Sequence, residues 1–549
     1  MITARKVPAL LILAAGVFVA ATPAGAQAPP DAANRVDEVF GRFDSVTTPG
    51  CAVGVARNGL TRLTRAYGMA DLEWNVPNTP RTIFEAGSVS KQFTATAILL
   101  LALEGKLSLD DDVRTYVPEV PDYGTPVTLR HMITHTSGLR DWGSVAGISG
   151  WGRSDRTHTH AHVLDIVSRQ SALNFQPGHE YSYSNTGFNL FAVIVERVSG
   201  MPFAEFSRER IFEPLGMDHT RWRDDYRRIV PGRGSAYQAG PEGTFRIDRP
   251  TEDVHGNGGL LTTVGDLLTW NEALTHSTLA PGWRDLMEDQ GHLNDGRAIS
   301  YAAGLFVDTF AGVPSVSHTG ATSGYRAYLA RFPQQALSVA VLCNVGSANP
   351  GGLGGQVARI YLGDAATDTE PPEGMDVPAD RLAALAGLYA HEGTGVAQSF
   401  AASDGALRMG ARRLVALSPT RFAAGAQTLT FEPTPGGRPT LRVTTGGYLD
   451  AVYSPVEPAD PAPEDLAEYA GTYHSDDAET TLLVSVEDGA LVARRRPDRA
   501  FAMVPVYPDA FNVGGLGFVR FHRDAGGDVV ELGVNQARVY DMRFQRENR

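Results

Sequence analysis

At 549 residues the chain is too long for a single core, and with 43% hydrophobic and 20% charged residues it is neither disordered nor fibrous. Acids outnumber bases 62 to 48, giving a net charge of −14 with no long basic run, which argues against a nucleic-acid or anionic-membrane partner. Only three of the bases are lysines, Lys6, Lys91 and Lys106, so a lysine here marks chemistry that arginine cannot do.

Residues 1–26 read as a secretory signal peptide: Arg5 and Lys6, an apolar stretch over 9–21, then Ala24-Gly25-Ala26 as an A-x-A cleavage site. No later segment is apolar enough to suggest a membrane span, and the expected location is periplasmic or secreted. Cys51 and Cys343 both sit in strand-like runs, CAVGVAR and LSVAVLC. An exported protein would permit a bridge between them, and two separate buried thiols fit the sequence equally well.

The segment FEAGSVSKQFTATAILLLALEGKLSL holds the first chemical signal. Its unbroken apolar and small residues predict a buried helix from Ser88 to Glu104, stopped by Gly105. Ser88 and Lys91 then lie at i and i+3 near its start. A serine hydroxyl needs a base, and a lysine becomes one when desolvation or a positive neighbour lowers its pKa. Downstream, Tyr183-Ser184-Asn185 comes after a Pro177-Gly178 turn and precedes an apolar helix closed by Gly200. His318-Thr319-Gly320 ends a short strand-like run in SVSHTGATSGYRAYLARFP.

S-x-x-K, Y-x-N and H-T-G in this order resemble the serine β-lactamase and penicillin-binding-protein superfamily, on its class C-like side. PGCAVGVARNG, VTLRHMITHTSGL, IFEPLGM and GNGGLLTTVGDLLTW look like that family too, so the resemblance covers residues 34–362. It implies an α/β (α+β) catalytic domain that needs no cofactor or metal. Ser88 would form an acyl-enzyme, and Lys91 would hold Ser88 and Tyr183 in usable protonation states. Tyr183 would be the general base in acylation and the acid toward the leaving amine, its pKa lowered by positive charge nearby. Asn185 would bind a substrate amide, and the backbone N–H groups of Ser88 and Ala321, beside Gly320, would form an oxyanion hole. Where penicillin-hydrolysing relatives carry Lys-Thr-Gly, this chain has His318, mostly neutral near pH 7, which argues against strong capture of a carboxylate-bearing β-lactam.

Other signals read as structural. Glu213 belongs to a helix-end turn, His158, His160 and His162 to a solvated helix start, and His131 and His135 to an ordinary helix and turn. Without Cys or clustered acids nearby none of these suggests a metal site. There is no G-x-S-x-G, P-loop or dinucleotide fingerprint.

Residues 363–380 (GDAATDTEPPEGMDVPAD) read as a linker, and 454–465 (SPVEPADPAPED) as a second one. Each linker leads into one copy of a repeat: residues 382–389 (LAALAGLY) match 466–473 (LAEYAGTY), and 404–407 (DGAL) match 488–491 (DGAL). Alternating runs broken by Asp-Gly and Gly-Gly predict antiparallel hairpins in two small domains, 381–457 and 466–549, each a barrel or a sandwich. A catalytic domain with two such units after it resembles the D-aminopeptidase architecture, which implies two antiparallel β-barrels and a loop from the last one reaching the active site. The second copy is longer, chiefly within 493–511, and of the acids there Asp509, ahead of Asp498, is the expected partner of a substrate ammonium. The reading is therefore an exported serine hydrolase of the D-aminopeptidase type acting on a small peptide, amide or ester. A carboxylesterase or weak β-lactamase is the alternative, and a non-catalytic penicillin- or peptidoglycan-binding protein the reading from another class.

Overall fold

The computed structural model describes residues 29–367, 372–446 and 449–547; the expected signal peptide lies outside them. In the first strand, Cys51–Arg57, side chains alternate between two cores. Cys51, Val53 and Val55 meet Phe40, Val357 and Ile360, from the helices Ala32–Phe40 and Pro350–Leu362. Ala52 and Ala56 face Leu267 and Leu268 of the helix Val264–His276. A wholly antiparallel six-stranded sheet is thus covered on both faces, which explains why its strands Cys51–Arg57 and Leu337–Cys343 are buried at every position and mostly apolar.

The order across that sheet is Phe306–Phe310, Val313–Thr322, Tyr325–Phe332, Leu337–Cys343, Cys51–Arg57, Leu60–Tyr67. The first strand therefore pairs with the last strand of the domain, with Cys51 directly opposite Cys343, and Leu60–Tyr67 forms the edge beyond it. That register brings the sulfurs together as a disulfide, so the bridge, one of two readings open from sequence, is the one formed.

Both tail domains are antiparallel, and their equivalent residues behave alike. The Tyr389 hydroxyl donates to Leu385 O at 3.0 Å and the Tyr473 hydroxyl to Tyr469 O at 2.8 Å. Asp404-Gly405 and Asp488-Gly489 both turn their hairpins with positive φ. The second copy is a closed eight-stranded barrel. The first is a nine-stranded sheet whose two end strands, Arg412–Arg413 and Val415–Ser418, are separated by Leu414 alone, so it curls almost shut. The helix Ala379–Leu385 plugs it with Leu382 and Leu385.

Candidate active site

A 3-10 turn, Gly87–Ser90, leads into the helix Lys91–Leu103, in which all residues but the last two are buried. A helix apolar on every side has to be a central one. Its entrance is pressed against the sheet. A Cβ on Gly87, which has φ +51°, would lie 2.5 Å from Ala321 N, and one on Gly320 would lie 2.0 Å from Ala86 O. Glycine at these two places lets the serine turn and the strand Val313–Thr322 meet backbone to backbone. Glu85, just before the turn, is fully buried and held by Arg223 at 3.0 and 3.2 Å and by Arg233 at 3.3 Å.

Lys91 is fully buried. Its Nζ lies 2.8 Å from Asn185 Oδ1, 2.7 Å from Asn257 O and 3.4 Å from Ser88 Oγ. Burial first, and then the Arg538 guanidinium, hold its pKa well below the ordinary lysine range. A neutral amine has two N–H donors and one lone pair. In that form the two nearer oxygens, both of asparagines, would take the donors and leave the lone pair for the serine.

Asn185 opens the helix Asn185–Ser199, and its backbone N–H, which has no partner within the helix, donates to Asp141 Oδ2 at 2.7 Å. Asn189, one turn on, donates to Asn257 Oδ1 at 2.8 Å and accepts from Trp142 Nε1 at 2.8 Å. These bonds fix the loop whose carbonyl receives Lys91. The Tyr183 hydroxyl is buried without a hydrogen-bond partner among the described residues, its ring 4.8 Å from Lys91 Nζ and 4.6 Å from the Arg538 guanidinium. Burial raises its pKa, against the opposing effects of the Ser88 hydroxyl and Arg538. The expected lowering is thus reversed: desolvation outweighs the nearby positive charge, and the phenol keeps its proton.

His318 lies within its strand rather than at the end, because the sheet runs on to Thr322. Nδ1 bonds Thr319 O, and Nε2 lies 3.1 Å from the Tyr301 hydroxyl. Burial, reinforced by Lys91, pulls its pKa down to about 3, so the ring is neutral, with Nδ1 donating and Nε2 accepting. It offers no cation and directs neither nitrogen to Ser88.

Ser88, Tyr183, Asn185, His318, Gly320 and Ala321 thus line one cavity of about 650 Å³, with Lys91 beneath it. Asp509 is the exception. Its carboxylate accepts from Arg523 at 2.7 Å and from Tyr469 at 2.9 Å within the second barrel, and it does not line the cavity. An arginine on the neighbouring strand already holds that carboxylate. The longer 493–511 stretch does dock on the catalytic domain, through Arg495 to Gly147 and Ile148 O and Arg496 to Ser149 O, at the C-terminal end of the helix Trp142–Ser149. The residue that enters the cavity comes from the turn between Val529–Gln536 and Val539–Arg546: Arg538.

Sequence reasoning missed Arg538, Asp141, Asn257 and Tyr301. Asp141 and Asn257 stand in or beside stretches that resemble the family, THTSGLRD and GNGGLL, and so carried a signal; a lone arginine in a hairpin turn carries none. The expectation of solvated histidines fails at His158, which is fully buried and bonds Trp151 O at 3.1 Å, while His162 caps its own helix through Thr159. His135 is also buried, accepting from Ser184 N–H, with its ring 4.2 Å from that of Tyr183. Among the described residues no cluster of acids, histidines and cysteines could hold a metal ion, and no helix is long and apolar enough to cross a membrane.

The chain is similar along most of its length to a D-aminopeptidase of Gluconobacter oxydans (strain 621H), at 29% identity over 79% of this chain and 81% of that one. Penicillin-binding protein 4* of Bacillus subtilis (strain 168) is 30% identical over 51% of this chain and 64% of its own. In fold, the octameric penicillin-binding protein homologue from Pyrococcus abyssi matches with a TM-score of 0.53 and 22% identity, covering 86% of this chain and 99% of that one. Residues 36–361 match the Beta-lactamase family. That match spans more than half of the chain, which therefore belongs to the Beta-lactamase family and is a serine hydrolase.

Proposed function

We propose that the protein is an exported hydrolase of the D-aminopeptidase type that cleaves small peptides or amides through an acyl-enzyme on Ser88. The observation that carries this reading is the buried Lys91 amine, 2.8 Å from Asn185 Oδ1, 2.7 Å from Asn257 O and 3.4 Å from Ser88 Oγ. Similarity to D-aminopeptidases that extends past the catalytic domain into the tail supports the substrate type.

In this mechanism Ser88 Oγ attacks the substrate carbonyl carbon as its proton passes to Lys91 Nζ. The negative charge on the carbonyl oxygen is met by the N–H groups of Ser88 and Ala321. The C–N bond breaks as Tyr183 donates its phenolic proton to the leaving amine, and the ammonium of Lys91 restores that proton. Water then hydrolyses the Ser88 ester by the same relay in reverse. Lys91 is here the base and Tyr183 the acid, the assignment that their opposite pKa shifts favour.

Assays on D- and L-aminoacyl p-nitroanilides, p-nitrophenyl esters and nitrocefin, with fluorophosphonate labelling, test the reading. D-configured amides should be turned over in preference to their L-counterparts, Ser88→Ala should lose labelling and activity, and Lys91→Arg should lose more than about tenfold. Turnover confined to esters would favour the carboxylesterase alternative. Labelling that survives Ser88→Ala would overturn the mechanism.

A further inference from the structure

No Asp or Glu lines the cavity at Ser88 among the described residues, whereas three arginines do: Arg153, Arg326 and Arg538. Their charges are not equally spent. Arg153 is paired with Glu252, its Nε donating at 2.9 Å. The carboxylate nearest Arg538 is Asp141, whose Oδ2 is 3.7 Å away, beyond hydrogen-bond distance. Asp141 is already committed to the backbone N–H groups of Asn185 at 2.7 Å and Ser144 at 3.1 Å. Arg326 donates through Nη1 to the backbone carbonyls of Ser323 at 2.6 Å and Tyr325 at 2.7 Å, and Asp248 acts on it only from a distance. The remaining titratable groups add no negative charge. His318 is neutral, Tyr183 holds its proton, and Lys91 is a base that becomes a cation during the reaction.

A substrate ammonium entering this cavity would meet like charge and no acid. A carboxylate would meet two guanidinium groups able to give it charge-assisted, forked hydrogen bonds. The two approach from different parts of the fold. Arg326 pairs across the sheet with Ala321. Arg538 is carried in by the second barrel, over the ring of Tyr183. Its position is fixed through the backbone, since Asn174 Nδ2 donates to Arg538 O at 2.9 Å and Tyr540 N donates to Asn174 Oδ1 at 2.9 Å. The side chain itself keeps 40% of its surface exposed and is free to meet a ligand.

We propose that the site selects amides or esters bearing a carboxylate, which Arg538 of the second barrel recognises together with Arg326. This rests on the hydrolase reading above and changes its substrate: an anionic group takes the place of the free ammonium.

The test compares matched substrates on the full chain. N-succinyl-D-alanine p-nitroanilide is set against its N-acetyl counterpart, D-alanyl-D-alanine against its C-terminal amide, and D-alanine p-nitroanilide supplies the free ammonium. At least one carboxylate should raise kcat/KM about tenfold or more over its neutral partner, with the ammonium substrate slowest. That ratio should fall about tenfold in Arg538→Gln and in Arg326→Gln, and should shrink as salt is added. A wild-type preference for the ammonium substrate, or a ratio that neither variant changes, would overturn the proposal. Turnover of p-nitrophenyl acetate and labelling of Ser88 separate the two claims: if they persist while the ratio is flat, only the carboxylate inference fails, and if they are absent the hydrolase reading fails with it.

Discussion

The two tail domains are copies of one scaffold put to different uses. The second is bolted to the catalytic domain by partly or fully buried polar contacts. Arg140 and Asp477 pair at 2.6 Å, 4% and 12% exposed, and the same carboxylate also holds Ser171 through N–H and hydroxyl. The corresponding link from the first copy is Asp450 to Arg297 at 3.5 Å, and Asp450 is already engaged by Arg442 at 2.6 Å. In the second copy the last hairpin brings Arg538 to Tyr183 and Lys91. Duplication supplied two stable frames, and a few arginines and one aspartate decided which frame became part of an active site.

Truncation after residue 457, which removes the second barrel, should break this comparison most severely. Loss of Arg538 and exposure of the Lys91 and Tyr183 surroundings to water should lower kcat/KM by on the order of 100-fold or more. An active truncated enzyme would show that the barrel is an accessory.

Asp477→Ala should cost about 3 kcal/mol, because it leaves a buried guanidinium without its partner, and should lower the thermal midpoint. Asp450→Ala, at a part-buried contact whose arginines are 37% and 38% exposed, should cost under about 1 kcal/mol. Urea unfolding of both variants checks the difference, and equal losses would put the copies on the same footing.

Arg538→Gln should also move the pH profile. Arg538 lowers the Lys91 pKa, so its removal raises that pKa and protonates the base at a higher pH. The acid limb of kcat/KM, where activity is lost as pH falls through the lysine pKa, should therefore shift upward, measured on an uncharged ester. An unmoved limb would detach the second barrel from the proton relay.

The smallest effect is expected at Asp509→Asn. It weakens the contact with Arg523 inside the barrel, so the ratio of aminoacyl to ester hydrolysis should stay at the wild-type value. A selective loss on aminoacyl substrates would return Asp509 to the substrate.

The sequence by itself determined whatever depends on neighbours along the chain. The nearly unbroken run of apolar and small residues after Ser88 makes a helix that has to be buried, and burial is what pulls the Lys91 pKa down. Gly105 stops that helix with φ +69°, the Asp-Gly pairs turn the hairpins, and the repeated 382–389 and 466–473 segments reveal the duplication. Tertiary structure decided everything that depends on competition between distant groups. Tyr183 went the other way from its expected shift because desolvation, set by all the packing around it, outweighs the Ser88 hydroxyl and the Arg538 guanidinium. The cysteines bridged because the register of the first and last strands put them opposite each other. Asp509 was claimed by Arg523, and a hairpin turn with no recognisable motif delivered Arg538 instead, since which charges meet is fixed by docking geometry that no local pattern encodes.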